Sequence, residues 1–363
     1  MKVVVLGGYG NFGAVIAAML ARDARFQVIV AGRDGEAAAR AAERIGATGA
    51  RLDAQDPELS AHLSRCEADL VISTAGPFQG QDYAVARAAL ACGAHYIDIA
   101  DGREFVCGID ALDAEARARD RLVVSGASSV PALSAAVIDK YAAEFASLRE
   151  IDVGISASAK VPGLATTTGV LRYCGKPMSQ WRDGAWVQVH GWQGLRRHTF
   201  RDPPMKRWMC DCDVPDLELF PRRYPGVRSV RFGAGVELSV VQLGLWALAG
   251  LTRSGIVRHT SQHAAVLARV ARAMQSFGTG RSAMFVRMGG IGRDGLERVR
   301  EWELAASADD GATVPCLAAV ALAKKMARGE LTQRCAMPCI GLLSLDEYLA
   351  ETNGLRIQTH EYD

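Results

Sequence analysis

The sequence predicts an α/β protein: a doubly wound parallel sheet at the N-terminus, then an α+β domain with a mainly antiparallel sheet. Three observations carry that prediction. Short apolar runs alternate with helical periodicity up to Gly126, the rhythm changes after Pro131, and a length of 363 residues suits two domains. Residues 2–6 are a β-branched run, and 11–22 place apolar side chains at helical spacing. Residues 27–31 read as the second strand, and Asp34 stands where it caps an alanine-rich helix running to Ile45. Further strands are expected at 49–53, 69–73, 95–99 and 121–125, with helical stretches between them. Apolar strands separated by helices make a parallel sheet covered on both faces.

Beyond Pro131, residues 132–146 read as a helix and 149–159 as a long strand. Strands are expected at 187–192, 196–200 and 228–236, and helices at 238–251 and 259–277. Residues 283–291 and 296–307 flank Gly292-Arg293-Asp294-Gly295, a hairpin signal. Four prolines between 202 and 223 make that stretch a long loop.

Composition narrows the function classes. With 49% hydrophobic and 23% charged residues the chain has material for a large core. Lys and Arg total 42 against 40 Asp and Glu, a net charge of +2, which argues against a generally basic nucleic-acid binder. The apolar run 238–251 is short of the roughly 20 residues a membrane span needs. Lys2 precedes only four apolar residues and no cleavage site, so no targeting segment is expected. Nine scattered cysteines do not form a secreted disulfide framework, and the expected location is a reducing cytoplasm.

Gly8-x-Gly10-x-x-Gly13 follows the first strand and opens the first helix. Such glycines, with Asn11 and Phe12 between them, let the backbone approach a pyrophosphate held at the helix N-terminus, as in a Rossmann domain. At the end of the second strand an NAD site usually places Asp or Glu on the ribose 2′-hydroxyl. Arg33 stands there instead, a forked cation suited to a 2′-phosphate, so NADP is the expected cofactor. Asp34 either turns toward the ribose or caps the following helix. Ser73-Thr74-Ala75-Gly76-Pro77-Phe78 ends the fourth strand. Ala75, Gly76 and Pro77 there either contact the nicotinamide ribose or form an ordinary βα turn.

The 8–13 glycine loop, Ala31-Gly32-Arg33, Ala75-Gly76-Pro77-Phe78, Ala94-His95-Tyr96-Ile97-Asp98 and Gly341-Leu342-Leu343-Ser344-Leu345 together resemble the saccharopine dehydrogenase-like family of NADP-dependent oxidoreductases. The resemblance is strong to about Ala135, returns over about 314–349, and is loose between. It implies a Rossmann domain over 1–130, joined by a C-terminal segment over about 314–350, and an inserted α+β substrate and dimerisation domain over 131–313. It implies a homodimer as well. Ser129-Val130-Pro131 departs from the Pro-Gly that saccharopine-reducing members tend to carry, and looks more like the enoyl-reductase and uncharacterised branches.

Asp101, after the fifth strand, and Lys176 are the candidates for proton transfer or substrate polarisation. His95 begins the fifth strand, on the opposite edge of the sheet, and reads as structural. Ser128, in the turn after the sixth strand, either faces the cofactor or caps a helix. The resemblance places the 163–168 loop over the substrate, where a polar helix N-terminus is the plainer reading. Lys206-Arg207 and Arg222-Arg223 either hold substrate carboxylates or form a solvated face. Cys210-x-Cys212 and Cys335-x3-Cys339 are far apart and lack zinc-knuckle spacing, so no metal is expected. Trp181, Trp186, Trp192 and Trp208 suit a pocket, a sheet core or a dimer face equally.

The expected function is an NADP-dependent oxidoreductase moving hydride to or from a small, carboxylate-bearing organic substrate, such as an amino-acid-type imine. Neither nucleic acid nor membrane is an expected partner. The competing reading is a non-catalytic NADP-binding regulatory or assembly protein, since fold does not determine function.

Overall fold

The computed structural model describes residues 1–160, 164–257, 260 and 264–363. The chain opens with β1 (Lys2–Leu6), α1 (Asn11–Ala21), β2 (Gln27–Gly32), α2 (Gly35–Glu43), β3 (Thr48–Arg51) and α3 (Leu59–Arg65). It continues through β4 (Leu70–Ser73), α4 (Ala84–Ala91), β5 (His95–Asp98), α5 (Arg103–Cys107), α6 (Asp113–Ala118) and β6 (Val123–Ser125). Next come α7 (Ser134–Tyr141), β7 (Phe145–Ala157), α8 (Leu164–Arg172), β8 (Pro177–Arg182), β9 (Ala185–His190), β10 (Arg196–Phe200) and β11 (Met205–Asp211). There follow α9 (Asp216–Arg223), β12 (Ser229–Val236), α10 (Ser239–Arg253), α11 (Ala264–Met274), β13 (Ser282–Gly292) and β14 (Glu297–Ala306). The last elements are α12 (Val314–Ala327), β15 (Ala336–Pro338), α13 (Leu345–Leu349) and β16 (Ile357–Tyr362). Two units divide the chain: Met1–Ala136 with Thr313–Glu351, and Val137–Ala312 with Thr352–Asp363.

The first unit is built on a wholly parallel sheet of order β15-β6-β5-β4-β1-β2-β3. The apolar run of β1 is buried from Val3 to Leu6, as a strand covered on both faces must be. The chain winds outward from β1 through β2 to β3, then crosses back so that β4 pairs with the other side of β1. That reversal between β1 and β4 is the topological switch point, and ligands of such sheets bind beyond the strands' carboxyl ends there. Leu6, Val71, Tyr96 and Val123 from four strands share one apolar cluster with Leu63 of α3 and Leu90 of α4. Helix α12 is buried along most of its length, and α13 begins with a capping box in which Ser344 and Glu347 satisfy each other's backbone amides. The short strand β15 adds a seventh member beside β6, which sequence periodicity missed because it has only three residues.

The second unit contains a seven-stranded sheet of order β10-β11-β12-β7-β13-β14-β16, mainly antiparallel, with β12 and β7 parallel. The hairpin of β13 and β14 closes where expected, with the Gly292 amide donating to the Leu296 carbonyl at 2.8 Å. A separate hairpin joins β8 to β9 through Asp183-Gly184, both at positive φ, the backbone that a two-residue turn between twisted strands requires.

The expected loop over 202–223 is instead mostly ordered structure, β11 and α9. Pro203 and Pro204 fall in the turn before β11, Pro215 is the N-cap of α9, and Pro221 removes a single rung near that helix's end. The helix expected over 132–146 is shorter, because β7 already begins at Phe145. Among the described residues no helix is long and apolar enough to cross a membrane.

Candidate functional site

The turn from β1 into α1 is made tight by close backbone contacts. Gly7 takes φ +81°, which only glycine adopts without strain, and its amide and that of Gly8 both donate to the Ala31 carbonyl. A Cβ on Gly13 would stand 2.2 Å from the Gly7 carbonyl oxygen, so the helix meets the turn only because that side chain is absent. Thr74 secures the arrangement from β4: its Oγ1 donates to the Leu6 carbonyl at 3.0 Å. Gly10 is the N-cap of α1 and offers no side chain, and the amides of Asn11, Phe12 and Gly13 have no recorded acceptor among the described residues. Unpaired amides at a helix N-terminus, backed by glycines, form a cradle for a pyrophosphate. The residues present therefore fit a dinucleotide. Gly7 and Thr74 are members of this turn that the Gly8-x-Gly10-x-x-Gly13 spelling overlooked.

At the carboxyl end of β2, Arg33 is exposed, and its guanidinium has no partner among the described residues. Asp34 is committed elsewhere, since its Oδ1 accepts the Ala37 amide at 3.0 Å as the cap of α2. Tyr9 reaches from the glycine turn across Gly32, and its hydroxyl accepts the Asp34 amide at 3.1 Å. Arg51 of β3 pairs in register with Gly32 and is a second exposed guanidinium at this strand end, one that sequence reading did not single out.

The turn after β4 is held by Gln81, whose Nε2 donates to the carbonyls of Ala75 and Pro77 at 3.0 and 2.8 Å. Ala75, Gly76 and Pro77 are all half-buried. After β5, Asp101 accepts a hydrogen bond from Gln79 Nε2 at 3.1 Å, so the ends of β4 and β5 meet through these two side chains. Crowding by protein atoms raises the Asp101 carboxyl above its ordinary range, against the bonds from its own backbone and Gln79, although water still reaches the side chain. Ser128, in the turn after β6, is buried in extended backbone and makes no cap bond through its side chain. His95, at the amino end of β5, accepts the Leu122 amide on Nδ1 at 2.9 Å, and burial lowers its pKa to about 4, so it is neutral.

Sequence reading missed Asp98. It is fully buried at the carboxyl end of β5, and its Oδ1 accepts from the Ala100 amide, the Gly126 amide and Ser125 Oγ at 2.9–3.0 Å. Its Oδ2 has no hydrogen-bond partner. Burial pushes the carboxyl up to about 6, because the low-dielectric surroundings oppose ionisation more than the three donors favour it. The group ties the ends of β5 and β6 together. An acid ending the buried run Tyr96-Ile97 was the available signal.

Several candidates lie in the second unit and have other employment. Arg222 pairs with Glu218 at 2.6 Å, Arg223 with Asp139 at 2.7 Å, and Arg207 faces Glu237 at 3.8 Å, so these arginines serve internal ion pairs. Lys176 is exposed in the turn before β8 and Lys206 is exposed on β11. Pro162 and Gly163 lie outside the described residues, and Thr167 and Thr168 belong to α8 rather than to a loop. Trp181 and Trp186 pack edge to face across the β8–β9 hairpin, Trp192 is buried, and Trp208 lies under the Arg197 guanidinium. Cys210 and Cys212 are buried in the second unit, Cys335 and Cys339 belong to the first, and none of the nine cysteines is joined in a disulfide.

Residues 3–129 match the family model of the saccharopine dehydrogenase NADP binding domain. No curated protein matches the chain. Among solved structures, saccharopine dehydrogenase (L-Glu forming) from Saccharomyces cerevisiae is similar over all of both chains, at 13% identity and a TM-score of 0.68. Homospermidine synthase from Legionella pneumophila, solved with NAD, is 9% identical with a TM-score of 0.61, over 99% of this chain and 91% of its own. An amine dehydrogenase from Mycobacterium smegmatis is 10% identical with a TM-score of 0.51, over 93% of this chain and 94% of its own. At these identities the likeness is one of fold, a fold used by NAD(P)-dependent oxidoreductases. With its parallel sheet and its glycine turn, the segment 3–129 belongs to the saccharopine dehydrogenase NADP binding domain family.

Proposed function

We propose that the protein is an NADP-dependent oxidoreductase acting on a small, carboxylate-bearing organic substrate. The observation that carries the preference for NADP over NAD is the pair Arg33 and Asp34. An acidic side chain that would bond a ribose 2′-hydroxyl is spent on the α2 cap, while the adjacent guanidinium is free to pair with a 2′-phosphate. Within the first unit, the amides of Asn11 to Gly13 hold the pyrophosphate, and Ala75, Gly76, Pro77 and Ser128 line the strand ends toward the nicotinamide. The bound nicotinamide supplies the hydride chemistry. Asp101 is the proton carrier of this reading: it is water-accessible, positioned by Gln79, and its affinity for a proton is raised.

The same reading includes a homodimer. Its support is an apolar surface on α10, where Val240, Leu243, Trp246 and Leu251 are all more than a third exposed.

Calorimetry with NADPH and NADH tests the cofactor assignment. Arg33→Ala is expected to weaken NADPH binding by about tenfold or more, the value of one charge-assisted contact, and to leave NADH binding unchanged. Equal affinity of the wild-type protein for both cofactors would refute the assignment. Saturable NADPH binding without oxidation by any keto-acid or imino-acid mixture would move the reading to a non-catalytic NADP-binding protein.

A further inference from the structure

The second unit carries a polar cluster that the oxidoreductase reading leaves unused. His198 lies on β10, and Glu301 and Glu303 lie on β14. Two residues apart on a strand, the glutamates share one face. Both are buried, Glu303 to 1% exposure and Glu301 to 6%. Each has one oxygen already engaged: the Arg201 amide donates to Glu303 Oε2 at 3.0 Å, and Arg287 Nε stands 3.8 Å from Glu301 Oε2. The remaining oxygens face a single nitrogen. Glu303 Oε1 is 3.7 Å and Glu301 Oε1 4.0 Å from His198 Nε2. The imidazole plane is set by Phe285, stacked at 3.8 Å and 8°, with Phe200 edge-on at 4.6 Å.

Two of these three atoms, His198 Nε2 and Glu303 Oε1, are sealed from water with no hydrogen-bond partner. Buried polar atoms are seldom left in that state, because the lost hydration is not replaced. The separations are too long for hydrogen bonds. They approach instead the roughly 3.4 Å edge of a tetrahedron whose nitrogen and oxygen ligands lie about 2.05 Å from a central ion. A doubly charged cation at that centre would satisfy all three atoms and balance two carboxylates.

We propose that His198 Nε2, Glu301 Oε1 and Glu303 Oε1 bind a divalent transition-metal ion of the zinc class. One imidazole and two carboxylates suit Zn²⁺, Fe²⁺ or Mn²⁺ and not a soft monovalent ion. The Arg201 amide and Arg287 orient the two carboxylates from behind, the role of outer-shell partners in metal sites. Three protein ligands leave a fourth position for water or a substrate oxygen. Strands β10 and β14 are not neighbours in the sheet, so the ion would also lock the curl that brings them together. No cysteine belongs to the group, which separates it from the cysteine pairs weighed in the sequence.

The test uses the full chain, freed of metal with a chelator and titrated with Zn²⁺ by calorimetry and with Co²⁺ by visible absorbance. One ion per chain is expected, with nitrogen and oxygen ligation in the cobalt spectrum. His198→Gln and Glu303→Gln should each weaken binding by about 100-fold or more, while Cys210→Ser leaves it unchanged. No stoichiometric binding to the wild type would overturn the proposal, leaving only a cluster that shares protons. So would undiminished affinity in both variants, or a thiolate-to-cobalt charge-transfer band. Should the variants fail to fold, the wild-type stoichiometry and spectrum still decide.

Discussion

Replacing Asp98 with Asn separates the two forces that set the end of β5. In the folded protein the carboxyl titrates at about 6 against an ordinary value of 3.8. Between those pH values the folded chain holds the proton more tightly than the unfolded chain does. The unfolding free energy therefore falls as pH rises through this window and is flat above it. The gap between the two values corresponds to about 3 kcal/mol, and the group is fully buried, so solvent screening takes nothing from it. An asparagine has no proton to lose. From pH 4 to pH 7 the difference between variant and wild type should move in the variant's favour by about 2.4 kcal/mol, since part of the full gap lies below pH 4. Urea unfolding of both proteins at pH 4, 5, 6 and 7 measures that difference, and titrating groups common to both cancel. A difference that stays constant across the range would refute the reasoning. It would mean that the three donors on Oδ1, not burial, set the protonation of Asp98.

Asp101→Asn should lower kcat while leaving NADPH affinity nearly unchanged, since a proton carrier acts in the chemical step and not in cofactor binding; parallel losses in both would assign it to the cofactor site. Trp246→Glu should convert a dimer to a monomer in sedimentation at micromolar concentration, by placing a charge in an apolar contact, and a wild-type protein that is already monomeric there would remove the dimer.

Much of the fold was legible because local chemistry and long-range packing agree in the first unit. The run Val3 to Leu6 is apolar without alternation, and a strand buried on both faces requires that. Asp34 precedes an alanine-rich stretch, and it is the cap. Agreement fails where one residue type serves two purposes. Four prolines between 202 and 223 looked like a loop, yet Pro215 begins a helix and Pro203 and Pro204 introduce a strand. Proline excludes a backbone donor at its own position but leaves the neighbouring residues free, so proline density over a stretch is a poor guide to order. Asp183-Gly184, by contrast, was a readable hairpin signal that went unread between two tryptophans.

The candidate site divides along a similar line. Glycines can be read as a turn, but which glycine takes the left-handed backbone is a matter of angle, and Gly7 rather than Gly8 carries it. Arg33 and Asp34 stood side by side as competing ligands for one ribose, and a single hydrogen bond to the Ala37 amide separates them. Glu301 and Glu303 were placed on a strand, and the period of two already sets them on one face. Their third partner was out of reach of any such argument. His198 is about a hundred residues earlier, on a strand that is not hydrogen-bonded to theirs, and only the curl of the whole sheet brings the imidazole to the carboxylates. Sequence spacing finds ligands contributed by one helix or one hairpin. A site assembled across a sheet is visible only after the strand order is known, and that order decides whether two buried glutamates are an isolated liability or two thirds of a binding site.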